Sequence, residues 1–428
     1  MEAWLVQWRM STKHLPSRMK FMTSSNENSF AELVLRQLVR VELDIGVYNR
    51  DILKILLKDF LACSVSGKRK YSVMERGFPA GMTQNALRLG LYGSADDLDD
   101  VDWRASSHSG TIIWATAISA GFARKVSVEK ILSAAAQGYR TGSTIAKLFG
   151  STHGSKWHIT ATSGVFSSVS AAAFIFDLTP EQHMAAFKLC ATNMGGLLQA
   201  RFEREGATQF NRSAAITLGL SSVQAALLGA SHVQDIWSQP GGLVENFAIA
   251  PEMLMESNEK LAQDFIIDGI STTHLRLFPC TGFAHAAAVA IYELRLELPG
   301  TVTSISVELS KAIASLMDGS RGGDWWNPQA AIAAVAYSKD PMVISEPKHL
   351  IEKISLSFSD IPVGGAKVTL QSEGVTKTIT HLKPPGSNYS SPLETKWRNK
   401  KWQDMLGEDY EDLSEISNNL SEIARRLL

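Results

Sequence analysis

Four segments of the chain carry side chains able to exchange protons or hold an anion. The first is the acidic run Asp96-Asp97-Leu98-Asp99-Asp100, followed by Ser107-His108-Ser109-Gly110. His108 directly precedes a helical pattern, and a helix N-terminus favours anions and neutral imidazole over imidazolium. That setting suits a histidine that donates a hydrogen bond to a substrate carboxylate or exchanges a proton near neutral pH. The plainer reading makes the acids a solvated loop and His108 a helix cap. The second segment, HGSKWHITATSG, holds His153, Lys156, His158, Thr160 and Thr162. Histidines five residues apart do not form the helical metal pair, which prefers a spacing of four. No third ligand is close, so the segment reads as a polar loop entering a buried helix. His158, at the junction, is the best general acid–base candidate, although a lone histidine is more often structural.

The third segment runs from Arg204 to Ala215, where Gly206 and Thr208 suggest a loop and Gln209, Asn211 and Arg212 stand just before an apolar helix. Arg212 at a helix start grips a carboxylate in bidentate fashion or is an exposed surface arginine. The fourth, HLRLFPCTGFAH, contains Arg276, Cys280 and His285. Cys280 enters a helix, where a thiol pKa falls, but a small buried cysteine is the safer reading. His183, after TPEQ, reads as a surface residue. There is no P-loop, glycine-rich phosphate loop or G-x-S-x-G elbow.

These segments need elements to position them. From about Ser29 to Phe60 apolar residues recur at three- and four-residue spacing, which predicts helices. GSADD around Gly93 reads as a loop. Ser109 to about Leu228 is a series of helical segments rich in Ala, Gly and Ser, small enough for helix backbones to approach closely. After about Gly269 the pattern changes to alternation. Ile305, Val307 and Leu309 mark one half-buried strand, Ile354, Leu356 and Phe358 another, and AKVTLQSEGVTKTITHL a hairpin turning at Ser372-Glu373-Gly374. Between them Asn327 opens a helix with Pro328 at its first position. Strands with helices make a second, α+β domain. The expected division is a leader over 1–28, read as disordered, a helical domain over 29–269, an α+β domain over 270–395, and a helical segment over 396–428 that returns to the first domain.

Composition narrows the function class. At 428 residues the chain is too long for one small core. A formal net charge of -1 argues against a nucleic-acid partner, which needs a basic excess. No apolar run is long enough for a membrane span. Cys63, Cys190 and Cys280 are scattered, with neither metal-ligand spacing nor a disulfide framework, which fits a reducing compartment. The expected location is cytoplasmic, or mitochondrial if the basic leader with Arg9, Lys13, Arg18 and Lys20 is a targeting segment.

The order of the segments resembles the MmgE/PrpD family. DDLDDVDWRASSHSG is similar to that family's Asp-x-Asp-Asp stretch followed by His-Pro-Gly, with Ser109 in place of the proline. AAAQGYRTGSTIAKLF is similar to its Gly-Tyr-Glu segment, with Arg140 in place of glutamate. KWHITATSGVFSSVSAAAFIF resembles its Gly-Phe-His-x-Thr helix pair, RLFPCTGFAH its Lys-Pro-Tyr-Pro-Ser-Cys…His segment, and GSNYSSPLETKW its closing Gly-x-x-x-x-Pro-Leu motif. The resemblance runs from about Ser29 to Leu406. It implies a mainly α fold: a large all-helical domain built from both chain ends and a smaller inserted α+β lid, with the active site in the cleft between them. It also implies a homodimer that removes water or carbon dioxide from citrate-like acids, or epimerises a related diacid, without metal or cofactor. Asp97, His108 and His158 fall where the family has its catalytic aspartate and histidines, and His285 matches the histidine of the fourth motif. Gln209 lies nearest the family's lysine of the third segment, Arg276 stands for the lysine opening the fourth, and Ala330 for a tyrosine.

The resulting expectation is a cofactor-independent lyase or isomerase that moves a proton next to a carboxylate or carbonyl of a small substrate. His158 is the acid–base group, and Asp97 orients a histidine. His108, Arg276 and Gln209 serve as oxyanion donors, with Arg212, His285 and Lys156 near the substrate. The alternatives are ordinary 2-methylcitrate dehydratase or cis-aconitate decarboxylase chemistry, and an inactive member that only binds a ligand or partner.

Overall fold

The structure, a computed structural model, describes residues 29–43, 45–71, 81–202, 207–317, 327–342, 348–387, 389–407 and 427. The leader, the double tryptophan at 325–326, Gly206 and most of the acidic tail after 407 lie outside the described residues. The fold is mainly helical. The chain divides into two compact units, one of Asn26–Arg276 with Gly386–Leu428 and the other of Leu277–Pro385.

In the larger unit, α1 (Phe30–Arg40) starts at Ser29, whose hydroxyl accepts from the Glu32 N–H. Helices α2 (Val47–Tyr71) and α3 (Met82–Ser94) follow. Gly93 therefore belongs to a helix, and the loop begins after it. Next come α4 (Ser109–Arg124), α5 (Val128–Gly154), α6 (Ile159–Ile175), α7 (Pro180–Ala191) and α8 (Ala207–Leu227). Helix α6 is buried on nearly every side and forms the axis of the unit. Its small residues explain how four neighbours fit: a Cβ on Gly164 would stand 2.3 Å from Ile112 Cδ1. The hydroxyls in this core bond to one another, Thr116 to Ser168 and Thr141 to Ser170, each at 2.9 Å, so burial leaves those pairs satisfied.

The expectation of an all-helical unit needs one correction. β1 (Val101–Asp102) pairs antiparallel with β2 (Thr273–His274), Val101 opposite His274 and Asp102 opposite Thr273. Two-residue strands leave no alternation to read in sequence. The unit closes with α11 (Pro392–Leu406), which packs on α2. Arg69 of α2 donates to the carbonyls of Met405 and Leu406 at 3.1 Å each, holding the C-terminal end of α11.

The smaller unit has a four-stranded sheet in the order β4-β3-β5-β6. β3 (Val302–Ser310) runs parallel to β4 (Ile354–Ser359) and antiparallel to β5 (Ala366–Ser372), which pairs with β6 (Val375–His381). Ile305, Val307 and Leu309 are buried, as their alternation predicts. Helices α9 (His285–Glu297) and α10 (Pro328–Ser338) pack with the sheet. Asn327 caps α10 by accepting from the N–H groups of Gln329 and Ala330.

Candidate active site

The short β1–β2 ladder positions the chemistry. Extending its register by two residues sets Asp99 opposite Arg276, and Arg276 Nε donates to the Asp99 carbonyl at 3.0 Å. The third partner comes from α8. Gln209 and Arg212 were expected in a loop ahead of the helix, but α8 starts at Ala207, so both lie on its first two turns. Their polarity reflects the acidic loop they face. Gln209 Nε2 donates to the Ser94 carbonyl at 3.4 Å, the same carbonyl that accepts from Asp97 N.

Four charges then close on one another. Arg212 Nη1 donates to both carboxylate oxygens of Asp99 at 3.0 and 2.9 Å, and its Nη2 to Asp97 Oδ1 at 3.2 Å. Arg276 Nη2 lies 2.7 Å from Asp97 Oδ1 and 3.2 Å from Asp99 Oδ1. Thr111 of α4 adds a bond to Asp99 at 2.9 Å. Asp97 side-chain exposure is 18%, against 3% for Asp99 and both arginines, so solvent reaches the cluster from the Asp97 side. Burial disfavours the Asp97 carboxylate, but Arg276 and Arg212 outweigh it and hold the acid well below its usual range. Asp97 has a left-handed backbone, φ 51°. Its bonds go to arginines, so the expected role of orienting a histidine falls instead to the main chain of Asp100.

His108 Nδ1 lies 2.9 Å from the Asp100 carbonyl. A carbonyl only accepts, so Nδ1 carries the proton and the neutral ring keeps its lone pair on Nε2. Burial, with Arg276 and Arg212 nearby, pushes the His108 pKa well down. In this tautomer the Nε2 of His108 is an acceptor. Its backbone N–H donates to Thr160 Oγ1 at 3.1 Å, which brings the start of α4 against the first turn of α6. His158 is the N-cap residue of α6, buried, with its own N–H on the Gly196 carbonyl at 2.9 Å.

Behind the loop, Asp100 Oδ2 accepts from Tyr139 OH at 2.5 Å and Oδ1 from Gly110 N at 3.1 Å. Trp114 Nε1 donates to the same tyrosine oxygen at 3.0 Å. Burial pushes the Asp100 carboxyl up to about 7 despite the Tyr139 bond, and nearby Asp99 and Asp59 add to the rise. A Cβ on Gly110 would sit 2.1 Å from Asp100 Oδ2, so this carboxyl needs the glycine.

The other sequence candidates are placed differently. Lys156 is exposed on the turn between α5 and α6. His153 is a core residue, donating to the Phe247 carbonyl at 2.8 Å and accepting from Thr162 at 2.7 Å, with its pKa pushed down to about 4 by burial. His183 is half-buried and not a plain surface residue: its ring meets Phe187, Nε2 bonds Ser170 at 3.1 Å, and desolvation lowers its pKa to about 3. It sits one turn into α7, where the exposed capping box hides that its ring turns inward. His285 belongs to the smaller unit, buried, with Nε2 donating to the Phe278 carbonyl at 3.1 Å. Among the described residues no three His, Cys, Asp or Glu side chains are grouped to hold a metal ion, and all three cysteines are buried, outside any disulfide. No helix among the described residues is long and apolar enough to cross a membrane. The pairing of Asp97 and Asp99 with Arg212 and Arg276, and the bond from Tyr139 to Asp100, were not read from sequence. The alternation of Asp97 and Asp99 around Leu98 was the available signal for the first pair.

A buried cluster of two arginines and two aspartates thus lies near enough to His108 to act on its charge. Residues 48–253 match the model of the MmgE/PrpD N-terminal domain, which supports assigning the chain to the MmgE/PrpD family. Asp97, His108, His158 and Arg212 lie within the matched span. No curated protein matches the chain closely enough to count as a relative.

Proposed function

We propose that the protein is a lyase or isomerase that transfers a proton next to a carboxylate or carbonyl of a small organic acid. The observation that carries this reading is His108, whose Nδ1–H is held by a main-chain carbonyl and whose Nε2 is left as the acceptor. Nε2 takes the proton from the carbon beside the carboxylate or carbonyl, and the electron pair moves onto that group's oxygen. The Arg276 and Arg212 charges are paired with Asp97 and Asp99, so these residues shape the field around the acceptor oxygen without a proton of their own to lose. His158 is the group that returns a proton, to a departing hydroxyl in a dehydration or to carbon in an isomerisation. Similarity to the family supports this class of chemistry over an inactive, binding-only member, because Asp97, His108 and His158 fall where the family's catalytic aspartate and histidines stand.

The reading extends to substrate charge. Two arginines facing two ionised aspartates bring no net positive charge to the site. Each additional substrate carboxylate would be desolvated with little compensation. A substrate with fewer carboxylates than a citrate-like triacid is therefore favoured over 2-methylcitrate or cis-aconitate.

Solvent-deuterium exchange tests both parts without knowledge of the product. The protein is incubated in D₂O with 2-methylcitrate, cis-aconitate, their monoesters and diesters, and simple monocarboxylic acids, and carbon-bound protons are followed by NMR. Exchange or consumption of the less charged members is expected, slowed about 10²-fold or more in His108→Gln and in His158→Asn. Faster turnover of the triacids would restore conventional dehydratase or decarboxylase chemistry. Calorimetric binding with no exchange in any member would favour the binding-only reading.

A further inference from the structure

The acidic loop is gripped from behind by a residue that the reading above does not use. Lys401 of α11 is 1% exposed. Its Nζ donates to Asp59 Oδ1 of α2 at 2.6 Å and to the main-chain carbonyl of Leu98 at 2.9 Å. Trp402 Nε1 donates to the same Asp59 oxygen at 2.9 Å. Leu98 lies between the two aspartates of the cluster. Its carbonyl goes to Lys401 while the Asp97 and Asp99 side chains go to the arginines. The Asp97 backbone is left-handed, a conformation that a non-glycine residue keeps only where its surroundings enforce it. Two residues further on, the Asp100 carbonyl holds His108 Nδ1.

We propose that Lys401 is a positioning residue of the site: through the Leu98 carbonyl it sets the loop so that Asp100 presents its own carbonyl to His108 and Asp97 and Asp99 meet both arginines. The catalytic value of this arrangement rests on the proton-transfer reading, but the arrangement itself can be tested without any substrate. Lys401 and Asp59 neutralise one another, so the lysine adds no charge to the cluster in front of it. What it adds is a fixed donor on a peptide that otherwise faces the interior. Since α11 follows the smaller unit in the chain, the loop over 96–100 is completed only when this last helix docks.

The readout is the tautomer of His108, observed by ¹⁵N NMR of the imidazole in the full-length protein. The parent is expected in the Nδ1–H form. In Lys401→Met the Leu98 carbonyl loses its donor, and the Nδ1–H form is expected to give way to the Nε2–H form that unconstrained histidine favours. Removing the lysine alone strands Asp59 in the core and endangers the fold, so the second variant is the double substitution Asp59→Leu with Lys401→Met, in which no charge is left unpaired. Trp402→Phe is the control for general loosening: it deletes one bond to Asp59 and keeps both donors of Lys401, and is expected to leave the tautomer unchanged. A parent lacking the Nδ1–H form, or a folded double variant with a parent-like tautomer, overturns the proposal. So does an equal loss in Trp402→Phe, which would make Lys401 ordinary packing. If the tautomer shifts as expected while no deuterium exchange is ever found, the positioning role stands and the proton-transfer reading falls.

Discussion

At the scale of single residues, the site separates two kinds of acid. Asp97 and Asp99 face arginines, while Asp100 faces only a tyrosine hydroxyl and one peptide N–H. The first arrangement keeps charge; the second suits a neutral carboxyl at acidic pH. This has a consequence for stability. The folded pKa of Asp100 is about 7, above the roughly 3.9 of an unfolded aspartate. The folded state therefore holds the proton more tightly, and the contribution of this group to stability is full below about pH 4 and is lost as pH rises to about 7. Asp100→Asn mimics the neutral acid and cannot titrate. Its stability relative to the parent should improve by roughly 3–4 kcal/mol between pH 4 and pH 8, measured as the difference in urea unfolding free energy at each pH. A difference that stays constant across that range would falsify the assignment of a neutral Asp100.

At the scale of elements, most of the organisation follows from local rules. The hairpin of the smaller unit is an example. Ser372 pairs with Val375, leaving Glu373 at φ 49° and Gly374 at φ 81°. Positive φ at both central residues is the two-residue turn that matches the twist of paired strands. A Cβ on Gly374 would meet nothing within 4 Å, so its replacement costs only backbone energy. Gly374→Ala should destabilise by about 1 kcal/mol, seen as a lower denaturant midpoint with an unchanged slope. A neutral substitution would mean that the turn relaxes to another type. Gly110 is the contrasting case, since its hydrogen stands where a Cβ would collide with the Asp100 carboxyl. There the glycine is required by the side chain opposite, not by its own backbone.

At the scale of the whole molecule, the larger unit is assembled from two distant stretches of chain. α11 brings Trp397, Trp402, Met405 and Leu406 into the core, and Lys401 onto Asp59. Asp59 and Lys401 are 342 residues apart. A chain ending at Pro385 would lose the Asp59–Lys401 pair and uncover the apolar surface that Trp397, Trp402, Met405 and Leu406 bury, against a total stability of only about 5–15 kcal/mol. Such a truncated chain should lack the cooperative thermal transition of the helical unit when followed by circular dichroism. A parent-like transition would show that the helical unit is stable without its C-terminal element.

The sequence by itself determined what depends on near neighbours. The 3.6-residue period placed the helices between Ser109 and Leu227, because an amphipathic or fully apolar period is a property of adjacent turns. Alternation placed β3 and the β5–β6 hairpin, and Asn327-Pro328 the start of α10, for the same reason. The resemblance also brought Asp97, His108, His158 and Arg276 to attention. Only the tertiary structure decided what these groups do. Arg276 and Asp99 are 177 residues apart and meet through a ladder of two residue pairs, too short to leave a pattern. His108 is held as the Nδ1–H tautomer by a carbonyl eight residues away, and His183 is drawn inward by Ser170 and Phe187. Protonation state and charge pairing are set by whatever lies within a few ångströms, and in a chain of this length those neighbours are chosen by packing.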